Sequence, residues 1–318
     1  MRKILVIVLF LVFLPAFPAD KDFNGRWDIT VLDTRPRAWW LEVRGAGTSD
    51  ICGLFVGAPG GNMDVIPEIS VRDGELVFAF DKRFQIGSGD QKKLAKGIWR
   101  ARLINGELHG TFDIEGQPES RIQWIGIRAP VIADKDDGSW REAASIQLFN
   151  GKDLTGWRPL IPNRETGWVV KDGILTNVPR ANNLVSEQKF WNFALHVEFR
   201  LAKGSNSGIG LRGRYEVQIL DDYGRPPNTH SQGALYSRIP PSVNASKPAG
   251  EWQTFDIRLV GRQVTVVLNG IKVIDKGEVE GLTAMGHDPN EAEPGPISLQ
   301  GDHGPIEFRS IVVTPLVR

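Results

Sequence analysis

From Phe193 to Leu201 the chain sets Phe193, Leu195, Val197, Phe199 and Leu201 on one parity and His196, Glu198 and Arg200 on the other. A repeat of two marks an extended strand with one face in a core, because successive side chains point to opposite sides of the pleat. The pattern recurs. Ile209 and Leu211 alternate with Gly208, Gly210 and Arg212, and Val217 and Ile219 with Glu216 and Gln218. Ile297 and Leu299 alternate with Ser298 and Gln300, and Ile306 and Phe308 with Glu307 and Arg309. Asp73-Gly74, Asn105-Gly106, Asp172-Gly173 and Asn269-Gly270 stand between such runs as two-residue hairpin turns. Helical periodicity is scarce, and 35 Gly and 20 Pro punctuate the chain. These features predict an all-β protein.

The 318 residues suffice for two domains. Residues 1–19 read as a secretory signal: Arg2 and Lys3, an apolar run from Ile4 to Phe13, then small residues up to Ala19. Export to the periplasm or the medium is the expectation, with no membrane span once the leader is cut. Residues 20–130 form a block of sequential hairpins, read as a small antiparallel barrel or meander. Its Trp27, Trp39, Trp40, Trp99 and Trp124 are expected to fill the interior, the alternative being one or two exposed rings that stack on sugar. Residues 131–144, with Asp134-Lys135-Asp136-Asp137-Gly138-Ser139, read as a solvated linker. Residues 145–318 carry about a dozen strand candidates, Gly233 to Tyr236 among them, and fit two stacked antiparallel sheets. A single cysteine, Cys52, rules out an intramolecular disulfide and is expected to pack as a small hydrophobe. Lys+Arg and Asp+Glu both number 38, and no basic run interleaved with aromatics occurs, which argues against a nucleic-acid partner.

The polar parity of the second block carries the chemistry. Glu198, Arg200, Glu307 and Arg309 suit cross-strand ion pairs on a solvated face. Arg212, Glu216 and Gln218 differ: they cluster with glycines that leave room beside them, and the segment Asp221 to Gln232 follows as a candidate roof. His303 stands in a Gly-flanked turn beside Gln300. No metal motif is strong, although Glu216, Asp221, His230 and His303 could meet around a cation, and no phosphate loop, nucleophile elbow or dinucleotide fingerprint is present.

An ordered set of segments gives this block a family likeness. They are Leu148-Phe149-Asn150-Gly151-Lys152-Asp153-Leu154-Thr155-Gly156-Trp157, Asn206-Ser207-Gly208-Ile209, Tyr215-Glu216-Val217-Gln218-Ile219-Leu220-Asp221, Gly233-Ala234-Leu235-Tyr236, and Gly295-Pro296-Ile297-Ser298-Leu299-Gln300 with His303-Gly304 and Glu307-Phe308-Arg309. Residues 145–316 resemble the 3-keto-disaccharide hydrolase domain, a concanavalin A-like jelly roll. The resemblance implies action on glycosides oxidised to a ketone at C3, where the C2 proton is acidic. A base removes it, the enolate expels the C1 substituent, and water adds back. Side-chain type and strand face offer Glu216 as the base, His303 as the acid, and Arg212 and Gln218 as oxyanion donors, with Glu216 and His303 open to exchanging roles. Asn206, Gln218, Asp221, Tyr236, Gln300 and Glu198 are the expected substrate contacts. No cofactor is called for, and a divalent cation remains open. Two other readings compete: a non-catalytic carbohydrate-binding jelly roll, and an ordinary glycosidase using Glu216 and Glu198 as its carboxylate pair.

Overall fold

The computed structural model describes residues 19–88 and 92–318. The leader expected over 1–19 therefore lies, except for Ala19, outside the described residues. The described residues form three antiparallel sheets.

Nine strands make the first sheet, in the order Asp64–Val65, Cys52–Val56, Ala38–Arg44, Gly25–Leu32, Gln117–Arg128, Glu107–Ile114, Lys93–Ile104, Glu75–Ile86, Glu68–Arg72. It is a curled meander in which the first strand pairs with the last, Ile29 opposite Gly126. The curl packs Trp39 against Phe55, Trp99 and Phe112, while Phe78 stacks on Trp99 at 5.2 Å. All five tryptophans of this unit are buried, so none offers a sugar platform. Cys52 corrects the sequence reading. It opens its strand on the parity opposite Gly53 and Phe55, and its side chain is exposed.

The second unit is a jelly-roll-type sandwich. One sheet runs Trp168–Lys171, Ile174–Asn177, Ile306–Val317, Phe193–Leu201, Gln253–Val260, Gln263–Leu268, Ile271–Glu278, and the short Arg141–Glu142 and Ile146–Gln147 also pair with Ile306–Val317. The other runs Trp157–Pro159, Leu184–Phe190, Gly295–Leu299, Asn206–Leu211, Tyr215–Leu220. Phe193, Leu195, Val197 and Phe199 from the first meet Ile209, Val217, Ile219 and Leu299 from the second in one core. The pairs Asp73-Gly74, Asn105-Gly106, Asp172-Gly173 and Asn269-Gly270 turn hairpins with both residues at positive φ, for example Asn269 at 51° and Gly270 at 81° between paired Leu268 and Ile271. That is the twist a two-residue connection needs.

Two segments depart from expectation. The acidic stretch is no free linker: Asp134 accepts from Trp191 Nε1 and Asn192 Nδ2, both at 2.8 Å, and Asp136 pairs with Arg258. It binds the chain to the back of the sandwich. Gly233–Tyr236 is no strand. It flanks Tyr215–Leu220 through Gly233 N to Gln218 O and Tyr236 N to Glu216 O, its only bridge to that strand being Val217 with Leu235.

Candidate active site

The face of the five-stranded sheet turned away from the core floors a cavity of about 560 Å³. Register puts Gly210 opposite Glu216 and Gly208 opposite Gln218, so these four share that face. The glycines matter sterically. A Cβ on Gly208 would lie 2.6 Å from Glu216 Oε1, in the space the carboxyl group now fills.

Glu216 is buried, and its Oε2 has no hydrogen-bond partner among the described residues. With its amide nitrogen turned inward, Gln218 donates to Glu216 Oε1 at 3.1 Å and to Ser207 O at 3.0 Å. Desolvation pushes the Glu216 carboxyl up to about 8, partly opposed by the positive charge of His303. His303 Nδ1 stands 2.9 Å from Asp302 Oδ1. That hydrogen bond, with the charges of Asp302 and Glu216, holds the imidazole above its ordinary value against partial burial.

The loop that carries His303 is tied down at several points. Asn177 donates to Gly301 O and Gly304 O, both at 3.2 Å, while its Oδ1 accepts from Ile306 N at 2.8 Å. Asn183 Oδ1 accepts from Gly301 N at 2.8 Å and Asp302 N at 3.2 Å, and Arg180 N donates to His303 O. On the other flank, Thr283 Oγ1 accepts from Glu216 N at 2.8 Å. The segment that follows brings His287 to the cavity, with Nε2 2.8 Å from Ser298 Oγ. Burial lowers His287 to about 4, so it stays neutral at neutral pH.

Of the expected residues, the cavity gathers Glu216, His303, Asn206, Gln218, Tyr236 and Gln300. Three lie elsewhere. Arg212 adopts φ 54° in the turn between its strands, which breaks the alternation that placed it beside Glu216. It is wholly buried behind the sheet edge, over Trp191 at 4.4 Å, with its guanidinium on Gly261 O. Glu198 belongs to the opposite sheet and pairs with Arg309, as Arg200 pairs with Glu307. A Glu216/Glu198 glycosidase pair is therefore excluded: the sandwich core separates them. Asp221 accepts from Gly204 N at 2.7 Å outside the cavity, and the Asp221–Gln232 stretch does not roof it. His230 instead meets Asn62 at 2.9 Å. Among the described residues no three His, Cys, Asp or Glu side chains converge as metal ligands.

Sequence reasoning missed His287, Asn183, Asp302 and Arg164, which all line the cavity. Asp302 was visible as the neighbour of His303; the other three sit in irregular segments where no period assigns a face.

Residues 144–314, more than half of the chain, match the 3-keto-alpha-glucoside-1,2-lyase-like domain. The chain belongs to that family. A 3-keto-disaccharide hydrolase of Bacteroides thetaiotaomicron is 27% identical over 143 residues, covering 34% of this chain and 49% of the relative. The chain thus spans about half the length of that curated relative. A crystal structure of a candidate glycosyl hydrolase from Parabacteroides distasonis is 30% identical, covers 59% of this chain and 92% of its own, and superposes with a TM-score of 0.47. A second from the same organism is 26% identical, covers 54% and 100%, and has a TM-score of 0.43. Among the described residues no helix is long and apolar enough to cross a membrane.

Proposed function

We propose that this chain is an exported enzyme that cleaves glycosides carrying a ketone at C3. The observation that carries the reading is the pairing of a buried, partly unpartnered carboxyl, Glu216, with His303 in one cavity of a domain of this family. Export rests on the leader composition of residues 1–19.

Glu216 takes the C2 proton, and the C2–H electron pair moves into the C3 carbonyl to give an enolate. The enolate re-forms the ketone, the C1–O bond breaks, and a C1=C2 double bond forms. The departing oxygen takes a proton from His303. Water then adds its oxygen to C1, and C2 regains a proton. Gln218 orients Glu216, while the amide nitrogens of Asn183, Asn206 and Gln300 are neutral donors at hand for the C3 oxygen. Gln300 Oε1 is buried without a partner, which suits a site finished by a ligand hydroxyl.

The Glu216/His303 pair reacts when it holds one proton. Its two placements, on the carboxyl or on the imidazole, are tautomers, so pH sets their total and the cavity sets their ratio. The deciding assay offers a 3-keto-glucoside and its unoxidised parent, with and without chelator. Cleavage of the keto compound alone supports elimination, and loss of it on chelation would bring in a cation. Binding of both with product from neither would make the chain a carbohydrate-binding protein.

A further inference from the structure

Both units build the cavity. Arg35, Pro36 and Arg37, between the strands Gly25–Leu32 and Ala38–Arg44, line it together with Arg164 of the sandwich. The first unit is fixed there. Ala38 N donates to Gly286 O at 3.3 Å, Tyr236 Oη to Gly60 O at 3.2 Å, and Met63 N to Ser237 Oγ at 3.3 Å. It therefore acts as a wall of the site.

That wall is cationic. Arg37 pairs with Asp33, yet its buried Nε has no acceptor among the described residues. Arg164 gives one N–H to Arg180 O at 2.7 Å, and neither it nor Arg35 makes an ion pair among the described residues. The cavity's own carboxyls do not balance them: Asp302 is engaged with His303, and Glu216 is buried without a cationic contact partner. The whole chain carries 38 basic and 38 acidic residues, so this surplus is local. Three guanidiniums thus line one cavity, and among the described residues only Arg37 has a carboxylate partner, so the other two offer unanswered positive charge to an anion.

We propose that Arg35, Arg37 and Arg164 select substrates whose C1 substituent carries an anionic group, a sulfate or a carboxylate. This rests on the keto-glycoside reading and adds the substrate class. The reacting ring must reach buried Glu216, whereas Arg35 and Arg164 are exposed at the rim. The group within their reach is the one that departs toward solvent. Guanidinium presents forked donors matched to two oxygens of one oxyanion, and a partly enclosed rim concentrates the field.

Three 3-keto-glucosides sharing one aryl aglycone, with a hydroxymethyl, a carboxylate or a sulfate, test this. The wild type is expected to favour a charged aglycone by at least about tenfold in kcat/KM, and the two anions show which oxyanion fits. Arg35→Gln, Arg164→Gln and about 0.5 M salt should each bring that ratio toward one. A wild-type ratio near one, or a ratio that survives both variants, overturns the proposal and leaves the keto-glycoside reading intact. Turnover of none of the three removes that reading instead. Calorimetry with the unoxidised anionic glucosides then decides: binding lost in the arginine variants supports the anionic subsite, and no binding by the wild type overturns it.

Discussion

Among the described residues no cation touches Glu216 and one of its oxygens lacks a donor, so ionisation costs more here than in water. Glu216→Gln should therefore abolish turnover, by roughly 10²- to 10⁴-fold if the residue is the base, while the fold survives. Stability gives an independent readout. The folded carboxyl titrates near 8 against an ordinary 4.5, so the unfolded chain releases this proton first. This group's contribution must fall as pH rises from about 4.5 to about 8 and stay down above that. Asp28, buried and also raised to about 8 by burial and then by Glu291, adds a slope of the same sign. Melting scans from pH 5 to 9 should show the glutamine variant gaining most at the alkaline end; an equal gain at pH 5 would contradict the assigned burial cost. In activity, kcat/KM should be bell-shaped, falling in acid as the Glu216/His303 pair takes a second proton and in base as it loses its last. A profile flat from pH 5 to 9 would remove the pair from the chemistry.

At the level of strands, the site depends on what the neighbouring strand lacks. Gly208→Ala should push Glu216 from its place, because the new methyl would meet Oε1 at 2.6 Å and Cγ at 3.0 Å. Expected is a large loss of kcat with a modest change in Tm, and full activity would show the carboxyl group free to move. This part of the site was legible in the sequence. Alternation put Glu216 and Gln218 on one face, and glycines on the partner strand implied room. Legibility ended where strands ended. Arg212 continued the same parity on paper, but a left-handed residue in the turn redirected its side chain into the protein. Glu198 was assigned to the correct face of its strand, yet parity cannot say which of two sheets a strand joins; the pairing with Ile306–Val317 did that. His287 has neither strand nor period, and tertiary contacts of its segment, among them His287 N to Gly213 O and Nε2 with Ser298 Oγ, bring it in.

As a whole, the molecule joins its two units through both apolar and charged contacts. Trp40, Ala38, Val56 and Leu282 form a buried cluster across the junction, where a Cβ on Gly281 would lie 2.6 Å from the Trp40 ring. Arg26 pairs with Glu280, Lys135 with Glu278, and Arg262 donates to Pro130 O. Heating should therefore give one cooperative transition, and two resolved transitions would show the junction to be weak. Trp40→Ala should cost about 3–5 kcal/mol and reduce activity as well, since the Ala38–Gly286 contact beside it steadies the Ala284–His287 wall. Unchanged kcat/KM in a folded Trp40→Ala protein would separate the junction from the site.

Ile306–Val317 lies inside the larger sheet and bonds to Ile174–Asn177, Phe193–Leu201, Arg141–Glu142 and Ile146–Gln147. A ribosome delivers this strand after every strand it unites. The first unit has all its strands by Arg128, whereas the sandwich cannot close until this last strand joins it. Until it arrives those partners keep unpaired edges, and a stop codon before Ile306 would remove the one strand on which four others pair.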